Sequence, residues 1–314
     1  MKIISLIPSA TEILCELGLE DNVYGVTNEC NFPETIKNKK KVLTTTINFE
    51  KLDSFQTNKI INESLDSKHS IYSLDVEEIK KIKPDFIITQ DLCEPCAVST
   101  SQINEILDEL SIKPEIITMS PKTIGQINES IIMLSNKFMV PEKGNELVKK
   151  INVGIETIQS ITKNNMERPR VFCMDWMDPI YSAGHWVPEM VTIAGGDNMP
   201  FERKERSVKV SFDEILKYSP HYIFIMPCGF EIDDTLNEIN LLLENPQLNK
   251  IPAFNKGQVY IVNANAYYSK PTYRILEGIK IIARTINREN FKYEPEPDAI
   301  LNLQNYMHFE SFSG

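Results

Sequence analysis

Two segments of this chain repeat one pattern of residues without a gap. VEEIKKIKPDFII at 76–88 aligns with FDEILKYSPHYIF at 212–224, so that the prolines Pro84 and Pro220 coincide. Each segment predicts a short helix, a turn at the proline and then a buried strand. Such a repeat constrains the fold strongly, because it indicates two copies of one structural unit.

A second pair of positions has matching spacing. Glu12 lies six residues before Gly18, and Glu189 lies six residues before Gly195. Together with the aligned segments, this spacing indicates an internal duplication. The alternative is chance similarity, because short helix–turn–strand units are common in α/β proteins.

Between the two halves, residues 142–163 predict one long amphipathic helix. Apolar residues recur there at steps of three and four, and lysine, glutamate and glutamine fill the other side. On either side of this helix, short apolar strands alternate with helices, which is typical of a parallel sheet covered by helices. We therefore predict an α/β protein with an amino-terminal lobe at 1–140, a connecting helix at 141–167, a carboxy-terminal lobe at 168–289 and a loosely packed tail at 290–314.

Charge and hydropathy narrow the possible functions. The net charge of −11 argues against a nucleic-acid-binding surface. No segment has the ~20 apolar residues that a membrane-spanning helix needs. The first residues, MKIISLIPSATEIL, lack the apolar region of a signal peptide. We expect a cytoplasmic monomer with free thiols, or an extracytoplasmic protein if a leader has been removed.

Aromatic and polar residues gather in the loops that follow the predicted strands. Ligands of open parallel sheets bind beyond the carboxyl ends of the strands, so these loops are candidate ligand-binding elements. The loop DWMDPIYSAGHWVP at 175–188 holds both tryptophans of the chain and suits a flat, partly apolar ligand. The alternative is that its rings pack against the end of the sheet. The candidate ligand-binding residues are Trp176, Asp178, Tyr181, His185, Trp186, Phe230, Tyr267, Tyr268 and Arg274.

Cysteines occupy several of the predicted loops. Cys93 and Cys96 form a CxxC motif, and Cys30 and Cys228 each follow another predicted strand. Thiolates bind thiophilic metals, and a CxxC at a helix start can also perform redox chemistry. The four residues are therefore candidate ligands of a metal ion. The alternative is that they are free thiols with no role in binding.

Several separated motifs resemble one known family. They are SLIPSATEIL (5–14), VYGVTNECNFP (23–33), QDLCEPCAVS (90–99), GHWVPEMVTIAGG (184–196), MPCGF (226–230) and AYYSKPTYRILEGI (266–279). In this order they resemble the cobalamin-binding branch of the iron-complex/vitamin B12 substrate-binding proteins of ABC transporters. The resemblance covers about residues 2–286. It implies two Rossmann-like lobes with parallel sheets, joined by one long α-helix, with a ligand cleft between the lobes.

The resemblance also implies a ligand and a partner. The ligand would be cobalamin or another corrinoid, or a related metal chelate, and the partner would be an ABC permease docked by one acidic residue on each lobe. Glu12 and Glu189 are the matching acidic positions, although a carboxylate in the first turn of a helix also stabilises that helix. The positions that match ligand contacts are Trp176, His185, Trp186, Tyr268 and Arg274.

Two hypotheses about function follow. In the first, the protein is not an enzyme, and it holds a corrinoid or metal chelate for ABC-type uptake or for carriage inside the cell. In the second, it is a cytosolic thiol-dependent protein that binds a metal or processes a cofactor through Cys30, Cys93, Cys96 and Cys228. A general acid–base enzyme has little support, because no pair of carboxylates can be assigned to the loops.

Overall fold

The computed structural model describes residues 1–49, 52–67, 71–90, 103, 107, 113–163, 167–201 and 206–307. The chain divides into two compact units. The first comprises Met1–Pro121 and Gly125–Val148, and the second comprises Lys122–Ile124 and Lys149–Gly314. The helix Pro141–Thr162, predicted at 142–163, contains the boundary between them. Among the described residues, no helix has both the length and the apolar character needed to cross a bilayer.

A six-stranded sheet forms the centre of the first unit. Its strands are β1 (Ile3–Ser5), β2 (Val23–Thr27), β3 (Lys40–Thr45), β4 (Tyr72–Leu74), β5 (Phe86–Thr89) and β6 (Glu115–Thr118). The strand order is β4-β3-β2-β1-β5-β6, and only β3 and β4 pair antiparallel. All residues of β1 are buried, as expected for a parallel sheet covered on both faces. The helices of this unit include Pro8–Glu16, Ser54–Ser67, Val76–Ile82 and all but the first residue of Ile124–Lys137.

A second six-stranded sheet forms the centre of the second unit. Its strands are β7 (Val171–Trp176), β8 (Tyr181–Ser182), β9 (Val208–Lys209), β10 (Tyr222–Ile225), β11 (Val259–Val262) and β12 (Ile300–Asn302). In the order β12-β11-β10-β7-β8-β9, the central strands β11, β10 and β7 are parallel and the outer pairs are antiparallel. The helices of this unit include Val187–Ile193, Phe212–Tyr218, Ile232–Leu243, Pro252–Asn255, Ala264–Tyr267 and Ile275–Ile286.

The two aligned sequence segments occupy equivalent places in the two units. The helices Val76–Ile82 and Phe212–Tyr218 both end at a residue with left-handed backbone, Lys83 at φ 52° and Ser219 at φ 54°. Each helix leads into a strand, β5 or β10, that pairs in parallel with the first strand of its own unit. This shared topology supports the inferred duplication.

The carboxy-terminal segment differs from the predicted loose tail at 290–314. Its residues Ile300–Asn302 form β12, which pairs antiparallel with β11, and Ala299 and Leu303 beside that strand are buried. The segment therefore belongs to the second sheet and its core. Residues 308–314 lie outside the described part of the chain.

Candidate functional site

Hydrogen bonds join the loops that follow the parallel strands of the second unit. The amide of Cys228, after β10, donates to the carbonyl of Asp175 near the end of β7 over 3.1 Å. The amide of Asn265, after β11, donates to the carbonyl of Phe230 over 2.9 Å. Because parallel strands end at the same edge of a sheet, these bonds hold the loops together as one surface. We call residues 175–186, 226–231 and 263–274 the loop surface.

One aromatic pair lies where β7 and β10 end. The rings of Trp176 and Phe230 meet edge to face, with centroids 5.4 Å apart and planes at 65°. Both side chains are half-buried, so each ring combines packing contacts with accessible area. Such a pair offers an apolar contact for a flat ligand.

A second aromatic pair is fixed by hydrogen bonds. The rings of His185 and Trp186 stack, with centroids 5.6 Å apart and planes at 23°. The indole N–H of Trp186 donates to the carbonyl of Tyr268 over 2.9 Å, and the Tyr268 hydroxyl donates to the carbonyl of Gly278 over 3.0 Å. Trp186 and Tyr268 are buried, so they offer no exposed ring face to a ligand. Their side chains instead hold the imidazole of His185 in position.

His185 has three unusual properties. Its backbone is left-handed, at φ 53°, which costs energy for a residue with a side chain. Its Nδ1 atom is buried, and no described residue hydrogen-bonds to it. Burial and the positive charge of Lys122 lower its pKa, which keeps the imidazole neutral near pH 7. A neutral imidazole nitrogen can accept a hydrogen bond or coordinate a metal.

A half-buried carboxyl group, absent from the sequence-derived candidates, lies at the end of β7. The hydroxyl of Ser207 donates to Oδ2 of Asp175. Burial raises the pKa of Asp175 to about 6, while the bond from Ser207 acts in the opposite direction. The available sequence signal was its position directly before Trp176 at the end of a predicted strand.

The remaining predicted ligand residues lie on the same loops. The guanidinium carbon of Arg274 lies 5.1 Å from the ring centroid of Tyr267, in the loop after β11. Tyr181 lies in β8 opposite Trp176, and Asp178 lies in the turn between β7 and β8. All four of these side chains are half-buried, namely those of Asp178, Tyr181, Tyr267 and Arg274.

The candidate metal ligands differ in their surroundings. Cys30, in the first unit, is buried with its Sγ 3.1 Å from Oγ1 of Thr11, and burial raises its pKa. A thiol held in its protonated form is a poor metal ligand. Cys228, in the second unit, is exposed, whereas Cys93 and Cys96 lie outside the described residues. Within the described ranges, no group of His, Cys, Asp and Glu side chains forms a metal site.

The two predicted docking glutamates also differ. The helix Pro8–Glu16 places Glu12 in its second turn and not in its first. Glu12 is only 1% exposed, whereas docking requires an accessible side chain. Glu189 does lie in the first turn of Val187–Ile193, and its Oε2 accepts the amide of Ile124 over 2.9 Å.

Comparisons with known proteins found a matching family, relatives in sequence and similar solved structures. The model of the periplasmic binding protein family matches residues 3–266. An uncharacterized ABC transporter substrate-binding lipoprotein, YvrC, of Bacillus subtilis is 24% identical over 300 residues, which span 93% of this chain and 81% of that protein.

Two solved structures are similar to this chain. The periplasmic vitamin B12 binding protein BtuF of Vibrio cholerae has a TM-score of 0.65 at 21% identity, over 91% of this chain and 96% of that chain. A periplasmic heme-binding protein from Pseudomonas aeruginosa has a TM-score of 0.69 at 14% identity, over 94% and 95%. These likenesses confirm the predicted α/β fold class.

Proposed function

This chain belongs to the periplasmic binding protein family, and from that membership we propose that it holds a cobalamin-like corrinoid or a related metal chelate for an ABC permease. Family membership favours this substrate-binding function over the thiol-dependent alternative. Vitamin B12 and heme, after which two of the structurally similar proteins are named, are both macrocycles with a central metal. The relatives are binding proteins, and we propose no chemical step.

The observation that carries the proposal is the arrangement of rings on the loop surface. Trp176 and Phe230 supply half-buried aromatic area, which suits the face or edge of a macrocycle. His185 supplies a neutral, half-buried imidazole. A metal-centred planar ligand matches both features, because it needs apolar contacts for its ring and a nitrogen ligand for its metal.

The remaining residues have supporting roles in this proposal. Trp186 and Tyr268 hold the imidazole in place through their buried hydrogen bonds. Arg274, stacked on Tyr267, supplies polar contacts at the rim of the ligand. Glu189, whose side chain is partly accessible, would contact the permease. This docking would take place at the extracytoplasmic side of the membrane, where binding proteins of ABC transporters act.

The direct test is an ultraviolet–visible titration of the reduced, purified protein with aquocobalamin, with hemin in parallel and metal analysis of the same sample. We expect a saturable spectral shift at one equivalent of one of these ligands. Replacing Phe230 with Ala should weaken binding about tenfold, as expected for a lost ring contact of about 1.4 kcal/mol.

The control variant is Phe55→Ala, which removes an exposed ring from the first unit and should leave affinity unchanged. Absence of a shift with both ligands would overturn the proposal. Equal affinities of the Phe230→Ala variant and the unmodified protein would remove the loop surface as its site.

A further inference from the structure

The carboxy-terminal segment reaches the loop surface. In β12, Ile300 pairs with Val262, the last residue of β11. Directly before β12, the carbonyl of Ala299 accepts the amide of Asn263 over 3.0 Å, and Asn263 caps the helix Ala264–Tyr267. Residues 296–299 therefore lie beside the loop that carries Tyr267.

The segment is also held along the last helix of the second unit. The hydroxyl of Tyr293 donates to Glu277 in the first turn of Ile275–Ile286, and Lys280 of the same helix lies 5.4 Å from the Tyr293 ring centroid. Phe291 at the start of the segment is buried. From Phe291 the segment thus returns along this helix to the carboxyl edge of the sheet, and we call residues 293–299 the terminal wall.

Two exposed carboxylates of the terminal wall act on the Tyr267–Arg274 pair. Burial is the largest cause that raises the pKa of Tyr267, Arg274 lowers this pKa, and the charges of Asp298 and Glu296 add smaller increases. Residues 296–299 form a short turn, in which the amide of Ala299 donates to the carbonyl of Glu296 over 3.0 Å. A ligand that contacts Tyr267 would therefore bind within the field of these two negative charges.

We propose that Glu296 and Asp298 determine which macrocycle the loop surface accepts, favouring a ring whose rim carries neutral amides over one whose rim carries carboxylates. This inference rests on the proposed function. Amide N–H groups can donate to the two carboxylates, whereas ligand carboxylates are repelled by them. A corrinoid with amide side chains has the favoured chemistry, and heme, with its two propionates, has the disfavoured one.

The test compares two corrinoids that have the same macrocycle and metal and differ in the charge of their side chains. Dicyanocobinamide has amide side chains, and dicyanocobyrinic acid has carboxylates at the same positions. We expect the unmodified protein to bind the amide form more tightly. In the double variant Glu296→Gln/Asp298→Asn, that preference should fall about tenfold, as expected for two charges near a solvated site.

The matched control is Glu244→Gln/Glu289→Gln, which removes two exposed carboxylates from the same unit. Glu244 and Glu289 follow helices that run back from the carboxyl edge of the sheet, so this variant should keep the full preference. In the unmodified protein the preference should also shrink when sodium chloride is raised from about 50 mM to about 500 mM, because salt screens exposed charges.

The outcomes separate the inference from the function on which it rests. Binding of both corrinoids with an unchanged preference in the Glu296→Gln/Asp298→Asn variant would overturn the inference and leave the proposed function intact. Loss of preference in both double variants would also overturn it, because net charge alone would then be responsible. Failure of the unmodified protein to bind any corrinoid or hemin would overturn the proposed function itself, whereas binding of hemin alone would overturn only the inference.

Discussion

The indole N–H of Trp186 donates to the backbone carbonyl of Tyr268 over 2.9 Å, and this buried bond joins residues 82 positions apart. It fixes the ring on which His185 stacks. The position of the imidazole therefore depends on the loop after β11 as well as on its own loop. Trp186 is only 4% exposed, so we assign it to support rather than to ligand contact.

The first prediction isolates the Trp186–Tyr268 hydrogen bond. Replacing Trp186 with benzothienylalanine keeps the shape of the ring but removes its N–H, which leaves the carbonyl of Tyr268 without this buried donor. We expect a loss of about 1–3 kcal/mol in the free energy of unfolding, measured with urea. Trp186→Phe should lose more, because it also creates a cavity. Unchanged stability in the benzothienylalanine protein would contradict the prediction.

The second prediction concerns the nitrogen atoms of His185. The variant His185→Phe keeps a ring that can stack on Trp186 but cannot coordinate a metal. With aquocobalamin, we expect the variant to lose the spectral change that marks replacement of cobalt-bound water by imidazole. Dicyanocobinamide is the control ligand, because cyanide occupies both axial positions and its affinity should not change. An unchanged spectrum of bound cobalt in the variant would exclude coordination by His185.

Much of the fold can be predicted from local patterns in the sequence. The long helix, predicted at 142–163 and found at Pro141–Thr162, has a strongly periodic apolar face, and such faces are the most reliable signal. The aligned segments are predictable for a related reason. Each combines a helix, a proline turn and an apolar strand, and all of these signals lie within thirteen consecutive residues.

Other features depend on contacts that are distant in the sequence. β3 begins at Lys40 in a lysine-rich stretch that indicates a surface loop, but its pairing with β2 buries Val42 and Leu43. β12 is short and follows the polar EPEPDA segment, so only its pairing with β11 identifies it. The loop residues of the site are predictable as a group, because they follow strands. Trp186 is held by a hydrogen bond to Tyr268, which is distant in the sequence. Local patterns therefore could not show that Trp186 positions His185 instead of contacting the ligand.

The third prediction concerns the pH dependence of stability at Asp175. Its pKa in the folded protein, about 6, exceeds the ordinary value of 3.8, so the folded protein binds the proton more tightly than the unfolded chain does. Ionisation of Asp175 therefore lowers the free energy of unfolding by up to about 3 kcal/mol above pH 6. This loss disappears as the pH falls towards 4, because the carboxyl group is then protonated. Asp175→Asn should be more stable than the unmodified protein at pH 8, and the difference should vanish near pH 4.

The control for Asp175 is Ser207→Ala, which removes the hydroxyl that donates to the carboxylate. This variant should be less stable than the unmodified protein at pH 8, where Asp175 is charged, and closer to it near pH 4. Urea denaturation at both pH values measures each difference. A pH-independent gain in Asp175→Asn would show that the carboxyl group has an ordinary pKa.

The fourth prediction separates two roles of Glu189. Its Oε2 accepts the amide of Ile124, the first residue of the helix Ile124–Lys137. Glu189→Gln retains an oxygen that can accept this bond, so it should unfold within a few tenths of a kcal/mol of the unmodified protein. Glu189→Ala should lose about 1 kcal/mol. If docking also needs the charge, Glu189→Gln should lower stimulation of a cognate permease without lowering stability or ligand affinity.

The fifth prediction distinguishes the thiols by their reactivity. The thiolate is the nucleophile in alkylation, and burial raises the pKa values of Cys30 and Cys173, while Cys228 is exposed. In the native protein, iodoacetamide should therefore modify Cys228 early and leave Cys30 and Cys173 unmodified, as peptide mass spectrometry of timed samples would show. In denaturing guanidinium chloride, all three should react at similar rates. Rapid modification of native Cys30 would contradict its protonated, buried state and would restore it as a candidate metal ligand.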